Sequence, residues 1–257
     1  MSKSVLDLSK EFVGRRALIT GGSRGIGAAI AQRLLDGGAT VVVTARSRTA
    51  ETPRGATFIE GDVSTNAGAK AIAAATLRVL GDVDILVNNA AAARAHVQGA
   101  ASIPDEEWLD AVNLNYLSAV RVTSALLPSL KKSKAGVIIN LSSGGGVFPL
   151  PPPLLHYGAA KAALNVYTKG LAQELGPQGI RVNTVTPGPV TTPGGDYIRK
   201  ALTDAMGVPA EAMLGQVPLR RFGEASEVAE VVALLTSDRG RWITSANYFV
   251  DGGMGSL

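Results

Sequence analysis

Cysteine is absent from this chain of 257 residues, and histidine occurs only twice, at His96 and His156. A chain without cysteine can form neither disulfides nor thiolate metal sites. Two histidines leave few nitrogen ligands for zinc, so we expect no metal site.

Long apolar runs and dense charge are missing as well. No stretch approaches the roughly 20 apolar residues that span a membrane, and the first segment, MSKSVLDLSKEF, lacks the apolar core of a secretion signal. The net charge is only +4, and the densest basic cluster is Lys131-Lys132-Ser133-Lys134. Such a cluster is typical of a solvated helix end rather than a nucleic-acid site. We expect a cytoplasmic protein that binds neither membrane nor nucleic acid.

Hydrophobic residues make up 46% of the chain, which supports a large core. Short segments rich in valine and isoleucine predict strands covered on both faces: Arg16–Thr20, Thr40–Thr44, Thr57–Glu60, Ile85–Asn88, Val137–Leu141, Arg181–Val185 and Tyr248–Val250. Helical patterns lie between them, at residues 26–37, 66–80, 106–132, 157–175 and 225–237. The alternation predicts one α/β domain over residues 1–257. It is a doubly wound parallel sheet of about seven strands with helices on both faces.

A glycine-rich turn, Thr20–Gly27, follows the first predicted strand and opens the first predicted helix. Glycine permits tight turning, and small residues let backbone amides approach a pyrophosphate at a helix N-terminus. Glycine spacing alone is a weak signal. Its position at the first strand–helix junction predicts a dinucleotide site.

The second predicted strand ends in Ala45 and Arg46, where a site for NAD usually has an acidic residue. No carboxylate stands at that position to repel a phosphate. Arg24, inside the glycine turn, can reach the same corner, and two guanidiniums suit a 2′-phosphate. Each arginine alone would be an ordinary surface charge, but together they favour NADP(H).

Tyr157 and Lys161 are four residues apart in a predicted helix and therefore point from the same face. A phenol titrates near pH 10, and a nearby ammonium favours the phenolate. We expect Lys161 to lower the pKa of Tyr157 towards neutrality, where the tyrosine can act as a general acid or base. A shift to about 7 corresponds to ~4 kcal/mol. His156 projects about 100° away from Tyr157 on a helix, so a catalytic role for it is disfavoured.

These motifs, in this order, resemble the short-chain dehydrogenase/reductase family from about Arg15 to Gly253. The glycine turn matches TGxxxGxG, and Tyr157 with Lys161 matches YxxxK. The further matches are Asp62-Val63, Asn88-Asn89-Ala90-Ala91 at the NNAG position, Asn115, Ser143, Pro187-Gly188 with Thr192, and Asp251-Gly252-Gly253.

The resemblance implies a Rossmann-type domain with catalytic residues Asn115, Ser143, Tyr157 and Lys161. Ser143 would hydrogen-bond the substrate oxygen, and Asn115 would hold a water that links Lys161 to solvent. Asn113 is a competing candidate for that asparagine. The cofactor-binding residues expected are Gly21, Ser23, Arg24, Gly25, Ile26, Gly27, Arg46, Asp62, Val63, Asn89, Ala90, Tyr157, Lys161, Pro187, Gly188, Val190 and Thr192.

The chain departs from the family at several points. Ala91 replaces the usual glycine of NNAG, and Ser245 stands where a glycine often precedes the last strand. The interval from Ser143 to Tyr157 is longer than usual and contains a proline run, Pro149–Pro153. That run could serve as a PxxP ligand, but its place between two candidate active-site residues argues against a free segment. Residues 187–215 are irregular in pattern and are expected to form the substrate loop.

We therefore expect an NADP(H)-dependent oxidoreductase that transfers a hydride between nicotinamide and a carbonyl or secondary alcohol. The family also implies a homotetramer. One alternative is a 3-oxoacyl-thioester reductase that uses an acyl carrier protein. Another is a non-catalytic NADPH-sensing protein, against which Ser143, Tyr157 and Lys161 argue. Sugar-nucleotide epimerases of related folds usually need a larger C-terminal region.

The double substitution Ala45→Asp with Arg46→Ala should shift cofactor preference from NADPH towards NADH. Removing one charge-assisted hydrogen bond to the phosphate costs ~1.5–3 kcal/mol, or about tenfold or more in affinity. Fluorescence titration with both reduced cofactors measures the shift. Unchanged NADPH affinity in the double variant would show that this corner does not hold the 2′-phosphate.

Overall fold

The structure, a computed structural model, describes residues 7–148 and 152–256. Its strands are β1 (Arg16–Thr20), β2 (Thr40–Ala45), β3 (Thr57–Glu60), β4 (Ile85–Asn88), β5 (Val137–Leu141), β6 (Arg181–Pro187), β7 (Val190–Thr191), β8 (Gly223–Glu224) and β9 (Asn247–Val250). Its α-helices are α1 (Gly25–Asp36), α2 (Asn66–Leu80), α3 (Asp105–Val112), α4 (Ser118–Leu130), α5 (Leu155–Leu175), α6 (Pro193–Met206) and α7 (Ala225–Thr236).

Seven parallel strands form the main sheet in the order β3-β2-β1-β4-β5-β6-β9, while β7 and β8 pair separately. The doubly wound parallel sheet expected from the sequence is confirmed. The strand order reverses between β1 and β4. In open α/β sheets, ligands bind outside the carboxyl ends of the strands at such a reversal.

Successive residues of each strand pack against opposite helix layers, because side chains alternate across a sheet. In β1, Leu18 packs with α2, α4 and α5, whereas Ala17 and Ile19 pack with α1 and α7. All three side chains are fully buried. Because helices cover both faces of the sheet, both faces of each strand are apolar, and the strands therefore stand out in the sequence as continuous apolar segments.

A buried row of polar side chains ties helix α5 to the centre of the sheet. Asn88 Nδ2 donates to Asn140 Oδ1 at 2.9 Å, and Asn140 Nδ2 donates to Thr168 Oγ1 at 2.8 Å. The three residues belong to β4, β5 and α5, and all are buried. Because an unpaired buried amide is costly, this row fixes how α5 lies over the strands.

The helix expected at 106–132 is divided in the structure. A single π-helical turn, Asn113–Leu117, separates α3 from α4. The Asn115 side chain donates to the Ala111 carbonyl at 3.1 Å and to the Ala92 carbonyl at 2.9 Å. Such turns are rare and often mark functional sites. Periodicity in the sequence does not reveal the contact between Asn115 and Ala92, because the two residues are distant in the chain.

Part of the segment 187–215 is more regular than expected, because α6 lies within it. Thr192 caps α6, its Oγ1 accepting from the Gly195 amide at 3.1 Å, and Pro193 occupies the first turn. A threonine cap followed by proline is a helix-start signature. Gly194 and Gly195 obscured it, since glycine disfavours helix.

The two remaining sequence expectations concern the proline run and membrane spans. Pro149, Leu150 and Pro151 lie outside the described residues, and Pro152–Leu154 forms a short 3-10 turn that leads into α5. Within the described ranges, every helix is too short or too polar to cross a membrane.

Ser245, in the turn before β9, has a φ of +62°. This left-handed conformation is the one that favours glycine. Its amide donates to the Val182 carbonyl at 2.8 Å, so the turn is held against β6 despite the strain. The geometry accounts for the glycine that the family often has at this position.

Ser245→Gly should raise the free energy of unfolding by up to about 1 kcal/mol, because it removes the strain of a left-handed side-chain-bearing residue. Chemical denaturation measures the change. Ser245→Ala, which keeps the Cβ and removes only the hydroxyl, is the matched control and should bring no gain. Equal stabilities of the two variants would contradict the strain argument.

Candidate functional site

A cleft of about 490 Å³ opens at the carboxyl ends of β1, β2 and β4. This volume is within the range of small-molecule sites. Twelve of the residues predicted to bind the cofactor line it: Gly21, Ser23, Arg24, Gly25, Ile26, Gly27, Arg46, Asp62, Val63, Asn89, Ala90 and Thr192. The other predicted residues, Pro187, Gly188, Val190, Tyr157 and Lys161, are outside this lining.

Two glycines give the turn its close fit. Gly21 has a φ of +66°, and a Cβ there would lie 2.9 Å from the Ala90 Cα. A Cβ on Gly27 would lie 2.3 Å from the Gly21 carbonyl oxygen. Only glycine avoids these clashes, and the result is a narrow backbone cradle at the N-terminus of α1. Such a cradle is suited to a pyrophosphate.

The end of β4 is locked to this cradle. Asn89 Nδ2 donates to the carbonyls of Thr20 and Gly21 at 2.9 and 3.1 Å. The amides of Asn89 and Ala90 both donate to Thr20 Oγ1. Asn89 thus shapes the floor of the cleft. The alanine at position 91 is outside the left-handed region and introduces no strain of that kind.

The corner expected to select the cofactor contains one group that the sequence analysis missed. Arg24 and Arg46 are both exposed and line the same cleft, as expected. Glu51, from the connection at residues 46–56, accepts a hydrogen bond from the Gly25 amide at 2.8 Å. A carboxylate therefore stands at the glycine turn, against the first residue of α1, which is next in sequence to Arg24. No motif marks Glu51, because a turn without periodicity delivers it.

Lys161 is buried, and its ammonium group is anchored beside the other candidate catalytic residues, Ser143 and Tyr157. Its Nζ donates to the Leu141 carbonyl, at the end of β5, at 2.7 Å. The same Nζ lies 5.8 Å from the centroid of the Tyr157 ring. Ser143, two residues beyond Leu141, lies close enough to Tyr157 for its hydroxyl to favour the phenolate. The structure thus brings Ser143, Tyr157 and Lys161 together at the carboxyl edge of the sheet.

The electrostatics differ from the expectation that Lys161 lowers the pKa of Tyr157. Burial raises the pKa of the Tyr157 phenol above its usual value, and the hydrogen bond with Ser143 only partly opposes this. Burial lowers the pKa of Lys161 to about 7. The expected direction for the phenol is wrong because desolvation disfavours both the phenolate and the ammonium.

The structure assigns different partners to the two candidate asparagines. Asn115 is buried, and its Oδ1 accepts from the Ala92 amide at 3.1 Å. Asn113 Oδ1 instead accepts from the Arg121 guanidinium at 2.9 Å. Only Asn115 therefore contacts the segment that follows β4, and its amide fixes that segment beside the cleft.

Comparisons with known proteins show the family to which the chain is similar. The family described as "Enoyl-(Acyl carrier protein) reductase" matches residues 21–255. The chain is 40% identical to the 3-oxoacyl-[acyl-carrier-protein] reductase FabG of Pseudomonas aeruginosa, covering 94% of this chain and 97% of the relative. It is 37% identical to the enzyme of the same name from Vibrio harveyi, covering 94% and 97%.

Solved structures give the same fold at near full length. Levodione reductase superposes with a TM-score of 0.88 at 28% identity, covering 96% of this chain and 99% of that one. The Pseudomonas aeruginosa RhlG/NADP active-site complex superposes with a TM-score of 0.86 at 31% identity, covering 97% and 100%.

Lys161→Met should change how stability depends on pH, because the variant lacks the buried amine. The wild-type pKa is about 7 when folded and about 10.4 when unfolded. Between these values the unfolded chain binds more protons. Wild-type stability should therefore rise relative to the variant by about 1.4 kcal/mol per pH unit above about 7.

Denaturant unfolding at several pH values between about 7 and 9 tests this linkage. Lys169→Met, at an exposed position of the same helix, controls for the general effect of exchanging lysine for methionine. Parallel pH dependence in the wild type and Lys161→Met would show that Lys161 keeps an ordinary pKa in the fold.

Proposed function

The chain belongs to the short-chain dehydrogenase/reductase family, and on that premise we propose that it is an NADP(H)-dependent reductase of carbonyl compounds. The observation that carries the proposal is the convergence of Ser143, Tyr157 and Lys161 on one sheet edge with the dinucleotide cleft. The family's chemistry is the oxidation of CH–OH groups and the reduction of C=O groups.

The residues of the cleft fit a nicotinamide dinucleotide, which supplies the hydride when bound. The glycine cradle would hold the pyrophosphate, and Asp62 with Val63 would contact the adenine. Arg24 and Arg46 favour a 2′-phosphate, and Glu51 opposes it in part. Two exposed guanidiniums against one carboxylate leave a positive balance, which supports NADP(H). One structural relative is described as an NADP complex.

The remaining cofactor assignments concern the edge of the cleft near the nicotinamide. Lys161 would bind the nicotinamide ribose, and Asn89 with Ala90 would line its approach. Pro187, Gly188, Val190 and Thr192 would close the other side. Of these last four, Thr192 lies nearest the glycine turn: a Cβ on Gly25 would come within 3.3 Å of its side chain.

Tyr157 would donate the proton to the carbonyl oxygen. Its raised pKa keeps the phenol protonated near neutral pH, which is the form that can donate. Ser143, beside Tyr157, would orient the same oxygen. Lys161, with a pKa of about 7, can hold a proton near neutrality and return it to the phenolate. We keep Asn115 as the residue that would hold the water linking Lys161 to solvent.

For the substrate, the comparisons favour a 3-oxoacyl thioester. The curated relatives named 3-oxoacyl-[acyl-carrier-protein] reductase are 36–40% identical over nearly the whole chain. A small cyclic or open ketone is the second candidate, because levodione reductase shares the fold at 28% identity. Residues 187–215, with α6, would cover either substrate. A cytoplasmic homotetramer is the assembly we propose from the family.

Tyr157→Phe should keep the fold and NADPH binding but lower turnover about 10²–10⁴-fold, because only the proton donor is removed. The assay follows NADPH absorbance with a 3-oxoacyl thioester and a panel of simple ketones. Tyr167→Phe removes a phenol from the same helix and is the matched control. Wild-type turnover in Tyr157→Phe would exclude the tyrosine from the mechanism. A preference for simple ketones would exclude the thioester.

A further inference from the structure

The only two histidines of the chain are far apart in sequence but meet in the fold. His96 lies between β4 and α3, and His156 lies in the first turn of α5. Their ring centroids are 5.4 Å apart at an interplanar angle of 78°. The Trp108 ring packs edge-on against His156 at 6.0 Å. The fold therefore places the two histidines side by side in a partly apolar environment.

Glu107, in the first turn of α3, completes the cluster. Its Oε2 lies 3.9 Å from Nε2 of His96. One ligand atom from each of His96, Glu107 and His156 lies within 4.8 Å of the others. The Arg94 guanidinium holds the other carboxylate oxygen, Oε1. The carboxylate is thus held with one oxygen on Arg94 and the other towards His96.

Each histidine has a buried ring nitrogen without a partner. Nε2 of His96 and Nδ1 of His156 form no hydrogen bond with any group among residues 7–148 and 152–256. His156 is only 2% exposed. Buried polar atoms nearly always have partners, so two orphaned nitrogens in one cluster call for a shared ligand.

The chemistry of the cluster points to a metal ion. Two imidazole nitrogens and a carboxylate oxygen form a donor set that zinc takes in many proteins. Around a tetrahedral zinc ion with bonds of about 2.0–2.2 Å, ligand atoms are roughly 3.3 Å apart. The present spread of up to 4.8 Å needs only a small contraction of the side chains.

Although the scarcity of histidine led us to expect no metal site, we propose that His96, Glu107 and His156 bind one Zn²⁺ ion, with water in the fourth position. The site is distinct from the dinucleotide cleft, because none of its three ligands lines that cleft. Arg94 would orient the carboxylate from outside the coordination shell, as second-layer partners commonly do.

The metal would link three segments: the connection after β4, the start of α3, and the start of α5, the helix that carries Tyr157. The connection after β4 already contacts the entry to α5, since the His96 amide donates to the Pro153 carbonyl at 3.0 Å. A bound ion would add a second link from this connection to His156, the residue before Tyr157. The ion would thereby stabilise the wall of the substrate region without taking part in hydride transfer.

Zinc binding by the untagged protein tests the site directly, and the absence of cysteine and of further histidines keeps background binding low. Chelator-treated protein is titrated with ZnCl₂ by calorimetry. We expect one ion per chain, and we expect His96→Gln and Glu107→Gln each to weaken binding at least about tenfold. Glu106→Gln, at the exposed neighbouring position on α3, is the matched control and should bind like the wild type.

Absence of stoichiometric zinc binding by the wild type overturns the proposal, and so does unchanged affinity in both site variants. Circular dichroism checks that the variants fold. Should a variant fail to fold, Co²⁺ added to the wild type tests the site instead. A four-coordinate site gives strong visible absorption and supports the proposal, whereas the weak absorption of a six-coordinate surface ion overturns it. None of these measurements needs substrate or NADPH, so they stand apart from the proposed reductase activity.

Discussion

The hydrogen bond from the Lys161 Nζ to the Leu141 carbonyl holds the candidate catalytic centre together. It joins α5 to the end of β5, and these two elements carry Tyr157 and lead into Ser143. A buried amine is costly unless it is hydrogen-bonded, so the contact constrains how α5 can lie. The polar row through Asn140 and Thr168 gives the same helix a second attachment deeper in the sheet.

The burial that positions these groups also determines their protonation. The phenol of Tyr157 retains its proton more strongly than in water, and the amine of Lys161 releases its proton more readily. Both shifts have the same cause, the removal of water from around a charge. The tyrosine therefore stays protonated near neutral pH, the form that can donate in reduction, whereas the amine of Lys161 can gain or lose a proton there.

Regular elements were predictable where the signal is local. Strands buried on both faces produce continuous apolar segments, and the bounds of the predicted strands agree closely with the structure. The predictions failed where a distant contact or an unusual backbone intervenes. Asn115 lies in the π-helical turn that interrupts the long helix, and it bonds to Ala92 in the segment after β4. The start of α6 was hidden because two glycines follow its threonine cap and proline.

The same distinction applies to the candidate site: residues marked by a local pattern were predictable, and residues brought in by distant contacts were not. Arg24 and Arg46 were identifiable because they belong to a motif and to a strand end. Glu51 reaches the glycine turn only through the path of the chain after β2. His96, Glu107 and His156 likewise become neighbours only when three elements pack together.

By itself, the sequence determined the class of sheet, the place of the glycine cradle, and the shared helix face of Tyr157 and Lys161. These depend on residue type and on spacing within one element. Only the tertiary structure decided the direction of the two pKa shifts, the carboxylate beside the cofactor corner and the meeting of the two histidines. Burial and contacts between remote segments arise from packing, and no local pattern encodes them.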